Sequence, residues 1–138
     1  MKLLLPTDGS TYSENAAMGA GRIAKRHNAE IVIVHVVEDK GLGRKSWRES
    51  GAEQVTSSIK EKLVSMGCEE SKLHAEIVDG NAPEKIVKTA KMHNVDRIII
   101  GTSGHTGIKK IMGSVTQKVL QISDTLVLVV PPDYKIEG

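Results

Sequence analysis

The sequence predicts an α/β fold: a doubly wound, five-stranded parallel sheet in the order 3-2-1-4-5, with helices on both faces. Short apolar runs recur along the chain, and most are rich in β-branched residues, which is typical of strands buried on both faces. Segments with helical spacing separate these runs, and such alternation implies right-handed crossovers between parallel strands. Because the chain has 138 residues, 39% of them hydrophobic, we expect one domain over residues 1–138.

Five strands are predicted from the apolar runs. Four runs are expected to be buried on both faces of the sheet: residues 3–5, 31–37, 97–100 and 126–130. The fifth run, residues 74–78, alternates polar and apolar side chains. Because alternation is typical of a strand with one exposed face, we place this strand toward an edge of the sheet.

The first helix is expected to begin at Ser10 or Thr11, since both residue types are favoured N-caps. The spacing of Thr11 and Glu14 fits a capping box, and Asn28 ends the helical pattern. The predicted inward face consists of small and apolar residues: Ala16, Ala17, Ala20, Ile23 and Ala24.

Three further helices follow the second, third and fourth strands. One covers about residues 47–66, and Gly67 suits the position just after its end. Another begins after Asn81, an N-cap followed by proline in the first turn, and ends at Asn94. The last follows Gly113. Its predicted apolar face consists of Val115, Val119, Leu120 and Ile122.

A binding crevice is expected between the first and fourth strands. In doubly wound sheets, ligands bind outside the carboxyl ends of the strands where the winding reverses, and this places Asp8 and Gly101 together. The residue type and its place after the first strand fit a turn or cap role for Asp8 as well as a ligand role. Its position in the crevice favours the ligand role. The segment 38–46 leaves the second strand at the same end, as a lid or, in the interpretation that we favour, a plain connection.

A glycine-rich stretch follows the fourth strand. Residues 101–104 read Gly-Thr-Ser-Gly, and Gly113 and Ser114 precede the last helix. Glycine allows positive φ and close approach, so that backbone N–H groups turn toward an anion, and the helix start adds unpaired N–H groups. Lys109 and Lys110 could reach phosphate oxygens, although a solvated loop face is the use that we favour for at least one of them.

Several other functional classes are excluded or disfavoured. No Walker A loop is present, which excludes a P-loop NTPase. Residues 19–24 match a dinucleotide fingerprint but lie inside the first predicted helix, so we interpret them as close helix packing. Ser103 is expected to be a loop hydroxyl, because no hydrolase triad follows it. The histidine spacing does not favour zinc, and His35 is expected to be a core or hydrogen-bonded residue.

Composition disfavours nucleic acid and membrane partners. The formal net charge is only +2, so the chain has no large excess of basic residues. With no Phe, one Trp and two Tyr, it also lacks the aromatic residues on which nucleic acid bases stack. Cys68 is the single cysteine, which favours a reducing compartment. The apolar N-terminal run stops at Pro6, too early for a signal peptide. A cytoplasmic protein is therefore expected.

Five segments together carry a family resemblance. They are LLPTDGS at 4–10, VHVV at 34–37, GNAPEKI at 80–86, DRIIIG at 96–101 and GSV at 113–115. In this order and spacing they resemble the universal stress protein family over nearly the whole chain. The resemblance implies an adenine nucleotide α-hydrolase-like fold and a homodimer that pairs its last strands. Here that strand is 125–130, an apolar edge that would otherwise invite aggregation.

The ATP-binding branch of this family carries a loop of the form Gly-x2-Gly-x9-Gly-Ser/Thr. This chain has all the named residues, but eight positions rather than nine separate Gly104 from Gly113, which puts the geometry at the phosphates in question. The resemblance implies ATP as the ligand, with Mg²⁺ accompanying its phosphates. The implied cofactor-binding residues are Pro6, Thr7, Asp8, Val36, Ile100, Gly101, Gly104, His105, Gly113, Ser114, Val115 and Thr116.

The expected function is an ATP-dependent switch in the stress response. Nucleotide occupancy would order the glycine loop and change a surface that another protein recognises. At most slow ATP hydrolysis is expected, and no catalytic residue is assigned, although His105 and the two lysines are candidates. The alternative is a dimeric stress-response scaffold that binds no nucleotide, which the shortened loop favours. A small ATP-using ligase is a weaker third possibility.

Overall fold

A computed structural model describes residues 1–38, 51–102 and 112–135. Strands and helices alternate along these ranges. The strands are β1 (Lys2–Pro6), β2 (Glu30–Val37), β3 (Leu73–Asp79), β4 (Arg97–Gly101) and β5 (Leu126–Val130). The helices are α1 (Thr11–His27), α2 (Ala52–Ser65), α3 (Ala82–Met92) and α4 (Ser114–Ile122), and a 3-10 turn at Glu70–Lys72 precedes β3.

The five strands form one parallel sheet in the order β3-β2-β1-β4-β5, which confirms the predicted order. β1 is the central strand: Leu4 pairs with Val32 of β2 on one side and with Ile98 of β4 on the other. The chain therefore winds outward from β1 to β3, returns to β4 and ends at β5. Where the winding reverses, a crevice lies outside the carboxyl ends of β1 and β4.

Each face of the sheet has its own hydrophobic core. Alternate side chains of a strand point to opposite faces: Leu3 and Leu5 pack with α1 and α2, whereas Leu4 packs with α3 and α4. All three side chains are completely buried. Helices therefore cover both faces, as the unbroken apolar runs predict. None of the helices in the described ranges is long and apolar enough to cross a membrane.

Side-chain caps set two of the helix starts. Ser10 caps α1 and its hydroxyl accepts from the Ser13 backbone N–H. The cap is therefore one residue before Thr11, and the capping box predicted from Thr11 and Glu14 is wrong. Asn81 caps α3 as predicted, accepting from the Glu84 backbone N–H.

The helix bounds can be compared with the predictions in the described part of the chain. α2 begins at Ala52, directly after Gly51, whose φ of +70° lies outside the right-handed helical region, and the predicted residues 47–50 lie outside the described residues. α3 ends at Met92 rather than at Asn94, which has a φ of +53°. The predicted end of α1 is confirmed, since Asn28 adopts the left-handed conformation and caps the helix.

The burial of β5 and α4 also differs from the predictions. Leu126 is 71% exposed and Leu128 is 43% exposed, so β5 is not buried on both faces. β5 is an edge strand, paired with β4 alone in the described sheet. On α4, Leu120 is 44% exposed whereas Thr116 and Val119 are buried. The inward face of α4 is thus rotated away from the predicted one.

Close packing explains the glycines inside α1. A Cβ at Gly19 would lie 3.0 Å from a methyl of Val130, and one at Gly21 would lie 2.7 Å from the Met66 methyl. These contacts agree with the helix-packing interpretation of residues 19–24. At Gly101, the end of β4, a Cβ would lie 2.7 Å from the carbonyl oxygen of Tyr12, which is backbone and cannot move aside as a side-chain methyl can.

We predict that Gly101→Ala destabilises the fold by about 1–3 kcal/mol, the usual range for overpacking. The new methyl would meet backbone in the first turn of α1, which cannot move without shifting the helix. Gly19→Ala is the matched control: its methyl meets a side chain, and alanine is better than glycine inside a helix by about 1 kcal/mol. Urea unfolding followed by circular dichroism measures both. Equal midpoints for Gly101→Ala and the parent chain would contradict the packing argument.

A second prediction concerns the Cys68 thiol. Burial raises the pKa of this thiol, and the Lys25 ammonium offsets part of the rise. Because folding disfavours the thiolate, the unfolded chain ionises first, and this contribution lowers stability as the pH rises above the ordinary thiol pKa. Alkylation of the native protein should therefore require higher pH than alkylation in urea. Cys68→Ala should lose less stability than the parent chain at alkaline pH, and equal losses would count against the burial effect.

Candidate functional site

A cleft lies at the carboxyl ends of β1 and β4, where the winding of the sheet reverses. Its cavity volume is about 180 Å³. The turn after β1, the start of α3, the end of β4 and the first turn of α4 surround it. The described residues that line the cleft are Pro6, Thr7, Asp8, Ser13, Val34, Val36, Ala82, Ile86, Ile100, Gly101, Gly113, Ser114, Val115 and Thr116.

One side of the cleft is apolar. Val34 and Val36 belong to the face of β2 that packs toward α3, and Ile86 of α3 lies opposite them. Ile100 of β4 and Pro6 of β1 complete this wall. This wall suits apolar contact with the face of a flat aromatic ring, such as that of a nucleobase.

The turn after β1 is held by hydrogen bonds to its neighbours. The Thr7 N–H donates to the Val34 carbonyl oxygen over 2.9 Å, and the Thr7 carbonyl oxygen lies 2.8 Å from His35 Nδ1. Asp8 Oδ1 accepts from the Ser10 N–H at 3.0 Å and from the Ser13 hydroxyl at 2.7 Å. Asp8 therefore has the turn role that the sequence left open, and it also lies on the cleft wall.

The first turn of α4 forms the other side of the cleft. Its N-cap is Gly113, which has no side chain to bond the first N–H groups of the helix. The Gly113 N–H donates to the Thr102 carbonyl oxygen at 2.7 Å. The N–H groups of the next three residues, 114–116, are the donors that helix geometry leaves without intrahelical acceptors. Together with the helix dipole they favour an anion at this end of the cleft.

Thr116 fixes α4 to the sheet. Its hydroxyl is buried and donates to the Gly101 carbonyl oxygen at 2.8 Å. Thr116 thus lines the cleft while its hydroxyl donates its hydrogen to β4. The bond holds the start of α4 beside the end of β4, with the ends of the glycine-rich stretch joined by the bond between Gly113 and Thr102.

The two described glycines of the predicted phosphate loop have different roles from those expected. Gly113 has a φ of −63° and a ψ of 154°, a conformation that any residue adopts, so positive φ is not the reason for glycine there. At the N-cap, glycine provides no side chain that would compete with a ligand for the first N–H groups of α4. Gly101 is required by the carbonyl group of Tyr12 behind it, so its small size serves packing against α1.

The charge of the described cleft wall comes from a single residue. Asp8 is the one charged side chain among the described residues that line it. Within the described ranges, no group of three or more His, Cys, Asp or Glu side chains could hold a metal ion. Of the predicted residues, Gly104, His105, Lys109 and Lys110 lie outside the described part of the chain, as does most of segment 38–46.

Sequence reasoning missed four residues of the cleft: Ser13, Val34, Ala82 and Ile86. Val34 was recoverable from periodicity, because it is two residues before the predicted Val36 on the same strand face. Ala82 and Ile86 lie one helical turn apart on α3, and nothing in the sequence indicated that this helix borders the cleft. Ser13 had no signal beyond its position in the first turn of α1. The other ten predicted residues in the described ranges all lie around this one cleft.

Known proteins resemble this chain both in sequence and in fold. The model of the universal stress protein family matches residues 1–131. Universal stress protein MJ0531 of Methanocaldococcus jannaschii is 35% identical over 97% of this chain and 84% of its own length. The solved structure of MJ0577, from the same organism, is 31% identical, with a TM-score of 0.79 over 99% of this chain and 97% of the other.

Two further structures are similar in fold and contain nucleotides. A universal stress protein in complex with cAMP has a TM-score of 0.78 at 23% identity, covering 96% of this chain and 98% of the other. One from Archaeoglobus fulgidus in complex with dAMP has a TM-score of 0.77 at 20% identity, covering 94% and 97%. From the family match over residues 1–131 and the 35% identity to MJ0531, we conclude that this chain belongs to the universal stress protein family.

Proposed function

We propose that the chain binds ATP in the cleft between β1 and β4 and acts as a nucleotide-dependent switch in the stress response. The observation that carries the proposal is the pairing, within one cleft, of an apolar wall with the start of α4, whose N-cap Gly113 has no side chain to bond the first N–H groups. An adenine nucleotide has the same two-ended character, with an aromatic base whose faces suit apolar contact at one end and anionic phosphates at the other.

The adenosine end fits the side of the cleft nearest β1 and β2. Val36, Ile86 and Ile100 offer apolar contact for the base, and desolvating such surface is favourable by about 25 cal/mol for each Å². Asp8 is positioned at the edge of this wall to accept hydrogen bonds from a ribose or an adenine amine. The single negative charge there suits a neutral nucleoside better than a phosphate.

The phosphate end fits the start of α4. The N–H groups of residues 114–116 and the hydroxyl of Ser114, an exposed residue, are donors suited to phosphate oxygens. A Mg²⁺ ion would be held by the phosphates and water rather than by a protein cage, since the described cleft wall offers one carboxylate. When bound, the ion would neutralise part of the phosphate charge.

The family neighbours support an adenine ligand. The ligands of the two nucleotide complexes, cAMP and dAMP, share an adenine base, a pentose and one phosphate. These shared groups are the ones that the two ends of the cleft suit. We extend the proposal to ATP because the chain carries the named residues of the family's ATP-binding loop, with its one-residue shortening.

Binding, rather than catalysis, is the proposed mode of action. Phosphoryl transfer needs a positioned water and strong charge neutralisation at the γ-phosphate, and we expect at most slow hydrolysis. We propose that the switch acts in the cytoplasm, as one domain over residues 1–138, within a homodimer formed through residues 125–130. The exposed Leu126 and Leu128 on the edge strand β5 support that interface.

Calorimetric titration with ATP, ADP, AMP and adenosine, with and without Mg²⁺, tests the proposal. The protein should first be checked by mass spectrometry for nucleotide that co-purifies with it. We expect saturable binding whose affinity rises with the number of phosphates. If none of these ligands binds to nucleotide-free protein, the ATP proposal is wrong and the nucleotide-free dimeric scaffold replaces it.

We predict that Gly113→Asp separates stability from binding. The backbone at Gly113 is already suited to an N-cap, and an aspartate there would bond the first N–H groups of α4. Stability should stay equal or rise by a few tenths of a kcal/mol, while ATP affinity should fall at least about tenfold, because the carboxylate occupies and repels the phosphate position. Adenosine affinity should change little. Unchanged ATP affinity in a folded variant would remove α4 from the site.

A complementary prediction concerns Asp8. Asp8→Ala should weaken adenosine and ATP binding by a similar factor, about fivefold to tenfold for a lost hydrogen bond to the ligand. Asp8→Asn is the matched control, because its amide oxygen can still accept from Ser10 and Ser13. Titration calorimetry with both ligands measures the factors. A loss confined to ATP would instead place Asp8 near the phosphates.

A further inference from the structure

We propose that His35 and Ser13 are positioning residues that clamp the peptide unit between Thr7 and Asp8 and thereby orient Asp8 in the cleft. The proposal rests on the proposed function, since it concerns affinity for the adenosine end of the ligand. It assigns a role to a histidine that lies outside the cleft wall and to a serine that is buried within it.

The clamp consists of two hydrogen bonds to one planar peptide unit. His35 Nδ1 lies 2.8 Å from the Thr7 carbonyl oxygen. Because a carbonyl oxygen only accepts, Nδ1 must carry the proton and donate. At the other end of the same unit, the Asp8 N–H donates to Ser13 Oγ at 3.0 Å. A peptide unit is planar, so bonds to its oxygen from β2 and to its N–H from α1, together with its covalent links to β1 and the turn, restrict rotation of the whole plane.

The same serine also holds the carboxylate of Asp8. The Ser13 hydroxyl donates to Asp8 Oδ1 at 2.7 Å, and the Ser10 N–H donates to the same oxygen at 3.0 Å. Ser13 is therefore both an acceptor for the Asp8 backbone and a donor to its side chain. With the peptide plane and Oδ1 both fixed, the carboxylate does not have to be ordered when a ligand arrives, and binding avoids that entropic cost.

His35 acts on the site only through this clamp. Side chains alternate along a strand, and its neighbours Val34 and Val36 line the cleft while His35 does not. The His35 ring is half-buried on the other face of the sheet, next to the turn. Removing its N–H should thus affect the ligand by loosening Asp8, and it should have no effect once Asp8 is gone.

A double-mutant cycle tests this dependence. His35→Leu removes the donor, and His35→Asn keeps an N–H close to the position of Nδ1. We expect His35→Leu to weaken adenosine and ATP binding by the same factor, about fivefold to tenfold. His35→Asn should restore affinity to within about twofold of the parent chain. In an Asp8→Ala background, His35→Leu should add no further loss.

The outcomes separate this inference from the proposed function. If the parent chain binds nucleotide but His35→Leu binds equally well, or if the two losses add in full, the clamp is wrong and the proposed function stands. If the parent chain binds none of the ligands, the proposed function fails and the clamp's role in affinity fails with it. Urea unfolding of each variant shows whether a loss of binding is instead a loss of folding.

A readout without ligand tests the clamp's geometry. A long-range proton–nitrogen NMR spectrum should show His35 protonated at Nδ1 in the neutral ring. Hydrogen exchange at the Asp8 amide should be slow in the parent chain and in His35→Asn, and faster in His35→Leu and Ser13→Ala. Such a loss of protection, confined to residues around the turn, supports the clamp, whereas equal exchange in all four proteins overturns it.

Discussion

The reversal of winding beside β1 is the constraint on which the site depends. β1 is buried on both faces and pairs with β2 and β4, so its carboxyl end can leave the sheet only through a tight turn into α1. β4 ends next to it, and the next described helix, α4, packs on the face of the sheet opposite α1. Where the helices that follow two neighbouring strands lie on opposite faces, a crevice forms outside the carboxyl ends of those strands, and the cleft is that crevice. The site is thus a consequence of strand order before any polar residue is considered.

Most of the fold could be predicted from the sequence, because strands and helix ends are indicated by residues close together in the chain. Unbroken β-branched runs indicate strands covered on both faces, and residues such as Asn28 and Asn81 mark helix ends through their own backbone and side-chain chemistry. What failed depends on tertiary context. The run 126–130 has the composition of a strand buried on both faces, and the predicted strand order correctly places it at an edge, yet its Leu126 and Leu128 are exposed. The composition of five residues does not indicate whether a helix will cover each face of the strand.

The candidate site shows the same division between local and tertiary information. Asp8 and Gly113 could be predicted as cleft residues from strand ends and loop composition, but the reasons for these residues could not. Gly101 is small because the Tyr12 carbonyl lies behind it, a contact across 89 positions of sequence. His35 could be predicted to be hydrogen-bonded, but its partner, the Thr7 carbonyl, depends on the parallel register of β1 and β2.

Hydrogen bonds hold both described sides of the cleft, and this arrangement bears on the proposed binding. At the β1 end, Thr7 and Asp8 are bonded to β2 and to α1. At the α4 end, Gly113 donates to Thr102 and Thr116 donates to Gly101, so the start of α4 is fixed beside the end of β4. A ligand that bridges the two sides would meet groups that are already in place, and its binding would avoid the entropic cost of ordering them.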